Sequence, residues 1–310
     1  MRVLIIGSSG FIGRHLVPYL EKNGHSLFLC DLEIEETDNS ISMDLMNPSG
    51  LENVIVKFSP DVIINLAAKT DNKGKNLNYY SINFEGVANL IHTIMEINPK
   101  IRLFHFSTQY VSAPTDSIKG VEKPVNTYGE SKLIAEDFIK ATENLSWTIF
   151  RPTNVWGENH PGFTEGIWKY IEKGWYIHPK SNIFRSYVWI DSLCEQLTRF
   201  LILPERKTSG KTYYITDPEM NSFDWVNSFS ELVRGKPVRR INSRFHLSLA
   251  LIGEILGTVK IPFPMNMERY RNLTSNYIVN FKTSHDTINY SEIDFGIAMN
   301  RLSEWYKSHD

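Results

Sequence analysis

A chain of 310 residues is long enough for one large domain or two unequal ones, and its 42% hydrophobic and 22% charged content excludes a disordered chain. The net charge of −2 gives no overall pull toward nucleic acid, and no run of about 18 apolar residues offers a spanning membrane segment. The two cysteines, Cys30 and Cys194, lack metal-ligand spacing, so the expectation is two reduced, buried thiols, no metal, and a cytoplasmic protein whose first strand begins too early for a signal peptide.

The first elements organise the rest. Val3-Leu4-Ile5-Ile6 is followed at once by Gly7-Ser8-Ser9-Gly10-Phe11-Ile12-Gly13 and then by an apolar-periodic stretch through Leu16, Val17 and Leu20, which predicts strand, tight turn, helix. Glycines at this spacing let the backbone turn sharply, let a pyrophosphate approach the main chain and let the helix pack close on the strand, while the helix start supplies N–H groups to phosphate. A glycine-rich turn that binds nothing is the plain alternative. Against it, a carboxylate stands about 20 residues further on, as a dinucleotide fingerprint requires. It is Asp31, which ends the apolar run Leu27-Phe28-Leu29-Cys30. A carboxylate there accepts hydrogen bonds from ribose hydroxyls and repels a 2′-phosphate, so NAD is expected rather than NADP.

Strand and helix signals then alternate. They run through a strand at Asp61-Val62-Ile63-Ile64-Asn65-Leu66, a helix from about Tyr79 to Ile97, a strand over Leu103 to Ser107, a helix from about Tyr128 to Ala141 and a strand over Trp147 to Arg151. The predicted fold class is α/β, a doubly wound parallel Rossmann sheet that binds ligands at the carboxyl ends of its strands, with a smaller C-terminal substrate domain. Residues 1–160 are expected to form the NAD-binding domain, with a return to it at about 186–216, and residues 161–310 mainly the substrate domain, laid across the mouth of the sheet. Asp191 is expected to cap a helix reaching about Leu203, Lys211 to Thr216 reads as a strand, and 222–310 as helical stretches separated by loops such as Ile261-Pro262-Phe263-Pro264.

Tyr128-Gly129-Glu130-Ser131-Lys132 places a phenol and an ammonium at i and i+4, on one helix face. A nearby cation stabilises a phenolate; lowering the phenol by about three pK units takes roughly 4 kcal/mol, which Lys132 and an oxidised nicotinamide ring could supply in a dry cleft. Taken alone, the pair reads more simply as a surface Tyr beside a solvated Lys. However, Phe106-Ser107-Thr108-Gln109-Tyr110, twenty residues upstream, ends a central strand with hydroxyls at the sheet's carboxyl edge. The ordered set of glycine turn, Asp31, Thr108, Tyr128 and Lys132 resembles the extended short-chain dehydrogenase/reductase superfamily. More narrowly it resembles the NAD-dependent nucleotide-sugar epimerase/dehydratase family, over nearly the whole chain.

That resemblance implies roles residue by residue. Gly7, Gly10, Phe11, Ile12 and Gly13 match the pyrophosphate turn, Asp31 the ribose-binding acid, Asp44 and Leu45 the pair at the adenine, and Ala67 and Ala68 the small residues lining the cofactor. Thr108 corresponds to the active-site Ser or Thr, Tyr128 to the acid/base, and Lys132 to its partner and ribose ligand. In Arg151-Pro152-Thr153-Asn154-Val155, Pro152 and Val155 correspond to cofactor contacts and Asn154 to a contact with the nucleotide diphosphate. Arg185 opens a segment whose Arg grips a substrate phosphate. The resemblance also implies a homodimer and a nucleotide-sugar substrate. Departures from the pattern restrict the chemistry. Gln109 and Tyr110 occupy the positions of the acid pair that family dehydratases use to expel water, so dehydration is not expected. Ser112 replaces a usual Tyr, and the usual Arg-Pro-Gly-Asp clamp is absent, although Arg269 and Arg271 lie in its region.

The function expected from this set is NAD-dependent epimerisation of a nucleotide-activated hexose at C4 through a transient 4-keto sugar. The alternative is a nucleotide-sugar 4-ketoreductase, because Ser107 to Val111 and Asp61 to Thr70 also resemble dTDP-4-dehydrorhamnose reductases. A non-catalytic NAD-binding protein is a third reading, opposed by the presence of Thr108, Tyr128 and Lys132 together. The loop Lys69-Thr70-Asp71-Asn72-Lys73 is expected at the substrate. Finally, Arg234, Lys236, Arg239, Arg240 and Arg244 form an acid-free run ahead of a stretch, Phe245 to Ile261, that is apolar at helical spacing through Leu249, Ile252, Ile255, Leu256 and Val259. The expectation is a core helix with a solvated approach; peripheral contact with anionic lipid is the alternative.

Overall fold

The structure is a computed structural model that describes residues 1–71, 73–114, 119–161, 167–258, 261, 263 and 265–309. It comprises two units. The first contains Met1–Val155, Val188–Asp217 and Val279–Glu292; the second contains Trp156–Tyr187, Pro218–Ile278 and Ile293–Asp310.

In the first unit, strands β1 (Arg2–Ile6), β2 (Ser26–Asp31), β3 (Ser40–Ser42), β4 (Val62–Asn65), β5 (Arg102–Phe106) and β6 (Trp147–Pro152) join the strand Lys211–Ile215. Among the described residues these form one parallel sheet in the order Lys211–Ile215, β6, β5, β4, β1, β2, β3. Strands covered on both faces are apolar continuously rather than alternately, and β4 is buried at all four positions. The order reverses between β1 and β4, where Ile6 pairs with both Cys30 and Asn65, and a doubly wound sheet opens its ligand crevice at that switch.

The helices α1 (Phe11–Lys22), α2 (Pro48–Phe58), α3 (Glu85–Ile97) and α4 (Thr127–Ala141) follow from their caps and apolar faces. Asn47 and Asn126 accept bonds from the Gly50 and Gly129 amides at the starts of α2 and α4, and Pro48 occupies a first-turn position of α2 where no N–H is needed. Val87, Leu90, Ile91 and Ile94 of α3 and Leu51 and Ile55 of α2 pack in one cluster with Leu4, Phe28, Ile63 and Leu103 of the sheet. Each such buried aliphatic contributes roughly 1.5–3 kcal/mol.

Two helix expectations in this unit change, and two elements are unexpected. The helix expected from Tyr79 to Ile97 is two elements: a 3-10 segment, Leu77–Asn83, and α3, separated at Phe84 (φ −126, ψ −44). Next to the break, the side-chain carboxamide of Asn83 bonds the Lys69 backbone, accepting its amide and donating to its carbonyl. The helix expected to be capped by Asp191 runs Ile190–Ile202 with Trp189 as its cap residue, so Asp191 lies in its first turn. The Trp189 N–H is satisfied by Asp217 Oδ2 at 2.9 Å. β3 and α2 carry no clear sequence signal: β3 is three residues long, and α2 begins Pro-Ser-Gly, which reads as a turn.

The second unit is built around aromatic rings. Trp168 lies 4.3 Å from Phe229, and Tyr187 stacks on Trp225 at 4.4 Å, centroid to centroid. The short strand Ile177–Pro179 runs parallel to Arg239–Ile241, and Phe184–Arg185 pairs antiparallel with Met220–Asn221. The helix Ser243–Thr258 corrects the core-helix expectation: it buries only His246, Ala250 and Gly253, and leaves Phe245, Leu251, Ile252 and Ile255 exposed. Its inward side is narrow because the Met265 carbonyl lies 1.7 Å from where a Cβ on Gly253 would stand. Only glycine permits that approach, so the large side chains face outward. Val259, Pro262, Pro264 and Asn72 lie outside the described residues. Among the described residues, no helix is long and apolar enough to cross a membrane.

Candidate active site

The glycine turn is shaped by backbone proximity. Gly7 has φ +87, which favours glycine, and a Cβ there would stand 2.6 Å from the Ala67 nitrogen. A Cβ on Gly13 would stand 2.4 Å from the Ser8 carbonyl oxygen. These two glycines let the turn close on the start of the loop after β4 and let α1 sit tight against the turn. Gly10 is different: its nearest neighbour would be 3.4 Å away, and it occupies the cap position of α1, where no side chain bonds the first-turn amides. The Gly7 and Ser8 amides donate to the Cys30 carbonyl, and the Ser9 amide donates to Asp31 Oδ2 at 2.8 Å. Asp31 Oδ1 accepts the Leu32 amide at 2.8 Å. The carboxylate is thus fixed against the turn, and this cradle fits a dinucleotide pyrophosphate with a ribose beside it.

Cys30, under the turn, is buried; burial and then the Asp31 charge push its thiol up to about 12. Cys194 is likewise free and buried. Between α1 and the residues after β2 lies a cavity of about 390 Å³ whose walls include Ser9, Arg14, Glu33 and Glu35. Two carboxylates against one guanidinium make that wall unfavourable for a 2′-phosphate. At the end of β2 the Met43 amide donates to the Asp31 carbonyl, which brings Asp44 and Leu45 to the same sheet edge. Asp44 is exposed; Leu45 is buried, and its carbonyl accepts from Asn89. Phe11, Ile12, Ala67 and Ala68 are all half-buried.

The second half of the site is a buried group at the ends of β5 and α4. Thr108, Tyr128 and Lys132 are all buried, Lys132 to 1% exposure, so the reading of a solvated pair is overturned. Gly129 allows this: a Cβ there would meet the Tyr110 carbonyl at 2.2 Å, so only glycine lets the first turn of α4 descend onto the segment after β5. Burial raises the Tyr128 phenol above its usual value; a hydrogen bond from Thr108 opposes the rise, while Tyr110 and Tyr80 add to it. The expected lowering by the nearby cation is therefore not a property of the protein by itself, because loss of water costs the phenolate more than its neighbours return. Burial also lowers the Lys132 ammonium to about 8, with Glu136 opposing.

Several residues that hold this group lack a motif of their own. Asn83 Nδ2 donates to Ser131 Oγ (3.0 Å) and to the Lys69 carbonyl (3.0 Å), and Asn83 Oδ1 accepts the Lys69 amide at 2.7 Å. Ser131 Oγ in turn donates to the Tyr128 carbonyl at 2.7 Å. The loop from Lys69 is accordingly tied to α4. Lys69 Nζ lies 3.4 Å from the Tyr79 ring centroid, and Tyr79 donates to Asp71. Beneath Lys132, His105 is fully buried; burial and then Lys132 hold its imidazole well below the usual value, and Asn65 lies 3.3 Å from its Nδ1. Arg151 bonds Glu136 and Glu122, and Lys140 pairs with the same two carboxylates, fixing α4 to β6. The hint of these partners in the sequence is a polar residue inside an otherwise apolar stretch, as at Asn65 and His105; Asn83 has no such signal.

Pro152, Asn154 and Val155 continue from β6 in the first unit, Pro152 buried and the other two half-buried. Arg185 belongs to the second unit, where its Nη2 lies 3.4 Å from the Ser275 carbonyl. Arg269 and Arg271 lie on the exposed helix Met267–Thr274.

The profile of the NAD dependent epimerase/dehydratase family matches residues 3–215. The chain is 34% identical over 166 residues to the GDP-6-deoxy-D-talose 4-dehydrogenase of Aggregatibacter actinomycetemcomitans, covering 51% of this chain and 54% of that one. It is 31% identical over 173 residues to the dTDP-4-dehydrorhamnose reductase of Escherichia coli, covering 53% and 55%. The chain thus spans about half the length of these curated relatives. The UDP-glucose 4-epimerase of Thermus thermophilus, solved with NAD, superposes with a TM-score of 0.74 over 100% of both chains at 18% identity, a likeness of fold.

Proposed function

This chain belongs to the NAD dependent epimerase/dehydratase family, and from that premise we propose that it is an NAD-dependent epimerase of a nucleotide-activated hexose, inverting C4 through a transient 4-keto sugar. The observation that carries the reading is the buried Thr108, Tyr128 and Lys132 at the carboxyl edge of a sheet whose Asp31 side favours NAD. Gly7, Gly10, Phe11, Ile12 and Gly13 would hold the pyrophosphate, Asp31 a ribose, and Asp44 and Leu45 the adenine. Ala67, Ala68, Pro152 and Val155 would line the remainder, with Asn154 on the nucleotide of the substrate. When bound, NAD supplies the capacity to accept and return a hydride.

The protein's own part is proton transfer and positioning. Tyr128 Oη takes the proton of the C4 hydroxyl as that carbon becomes a ketone and gives it back when the ketone is reduced from its other face. Thr108, already hydrogen-bonded to Tyr128, orients the sugar oxygen. The Lys132 ammonium, together with the charge of the oxidised nicotinamide, offsets the burial that keeps Tyr128 protonated. Burial excludes the water that would otherwise compete for these protons.

A second reading, net 4-ketoreduction, draws support from the names of the relatives at 34% and 31% identity. Denaturing the purified protein and identifying the released nucleotide separates the two readings. Near-stoichiometric NAD agrees with a self-recycling epimerase, whereas an empty site that binds NADPH better than NADH overturns it in favour of the reductase. Tyr128→Phe is expected to retain fold and cofactor and to lose turnover by about 10³-fold; undiminished turnover would remove Tyr128 as acid/base in either reading.

A further inference from the structure

We propose that the outer face of the helix Ser243–Thr258, with the adjoining strands Ile177–Pro179 and Arg239–Ile241, docks on an anionic lipid membrane. The face is apolar where a free surface should be polar. Phe245, Leu251, Ile252 and Ile255 fall within an arc of about 120° at 100° per residue, and Ile255 is 67% exposed. In the segment that leads into the strand Ile177–Pro179, Trp175 is 66% exposed and Ile177 also faces solvent. The strand and the helix are in contact: Ile177 pairs with Arg239, and its carbonyl lies 3.2 Å from Nε2 of His246, in the first turn of the helix. Trp at the rim of an Ile- and Phe-bearing face is the composition that settles at the level of lipid headgroups.

Charge names the partner. The segment 234–253 carries Arg234, Lys236, Arg239, Arg240 and Arg244 and no acidic residue. The paired segment 173–190 carries Lys173, Lys180 and Arg185, again with no acid. Lys173, Lys236, Arg239 and Arg244 are exposed, and Lys173 Nζ stands 5.0 Å from the Trp175 ring centroid. Glu254, just beyond the run, is occupied with the Met267 amide at 3.0 Å. A second copy of the chain is disfavoured as occupant, because a two-fold contact would bring cation against cation. Nucleic acid satisfies the charges but offers nothing to Ile252 and Ile255. An anionic bilayer satisfies both, with the cations at the headgroups and the apolar side chains at the acyl boundary.

Flotation of the full chain with vesicles of phosphatidylcholine alone and of phosphatidylcholine with phosphatidylglycerol tests this. Association with the anionic vesicles alone is expected, weakened about fivefold by Arg244→Gln and by raised salt, and abolished by Ile252→Ser with Ile255→Ser. Because all three positions are exposed, melting temperature and NAD binding serve as controls that the variants are folded. Three outcomes would overturn the proposal: no flotation at low salt; association that the serine pair leaves intact while duplex DNA is retained equally well; or a dimer in sedimentation that the serine pair dissociates without any vesicle binding.

Discussion

Two strand ends on the carboxyl edge of one sheet, β1 and β5 with β4 between them, work by opposite physics. At the end of β1 the site is made of backbone: Gly7 and Gly13 matter for the atoms they lack, and Asp31 is fixed by main-chain amides. At the ends of β5 and α4 the site is made of side chains withdrawn from water, so that Tyr128 rises and Lys132 falls from their usual values, each with burial as the leading cause. Selection at the first place is steric and leaves a recurring spacing. At the second it is dielectric, and depends on everything packed around three residues.

Substitutions can break this contrast. Gly13→Ala is expected to act most strongly, since even one methyl stands 2.4 Å from a carbonyl oxygen. We expect a loss of about 4 kcal/mol in denaturant unfolding, together with NAD binding, and unchanged stability would show that the turn yields. Lys132→Met should do the reverse. With the native-state value lowered from 10.5 to about 8, the folded protein carries a charge penalty that is fully present below pH 8 and relieved as pH rises toward 10.5. The variant should gain up to about 3 kcal/mol at neutral pH, lose the upward slope between those limits, and bind NAD more weakly. A destabilised variant would mean that Lys132 is held by bonds that outweigh its burial.

The smallest effect sharpens the comparison from outside the site. Burial raises Asp217 from 3.8 to about 7, although the Trp189 amide it accepts favours the carboxylate. A raised native value means that this group's contribution is complete below pH 4 and declines as pH rises through 7. Asp217→Asn should match the parent near pH 4 and exceed it at pH 8, by urea midpoints; equal stability at both would place Asp217 in contact with water.

The same contrast explains what is legible in the amino-acid sequence. Gly7, Gly10, Gly13 and Asp31 announce themselves because their requirement is local, and the parallel sheet follows from apolar runs such as Val62-Ile63-Ile64. That Thr108, Tyr128 and Lys132 share one buried region depends on Gly129 meeting Tyr110, far earlier in the chain, and on Asn83 reaching Ser131. Neither contact has a spacing rule. The direction of the Tyr128 shift escapes the sequence for a related reason: helical spacing reveals a cation one turn away and not the loss of water that accompanies it. For the helix Ser243–Thr258, periodicity locates the apolar stripe but does not say which side faces inward, because Gly253 and Ala250, the residues that decide it, carry almost no hydrophobic signal.

The two thiols have a kinetic meaning. Cys30 lies under the glycine turn and Cys194 inside the helix Ile190–Ile202, both buried and both pushed upward by burial, so neither offers a thiolate to an oxidant or an alkylating reagent while the unit is closed. Labelling must wait for the strand and helix around each to part. The rate at which this protein takes up a thiol reagent is then a clock for opening of its nucleotide-binding half, and anything that grips the turn will slow it.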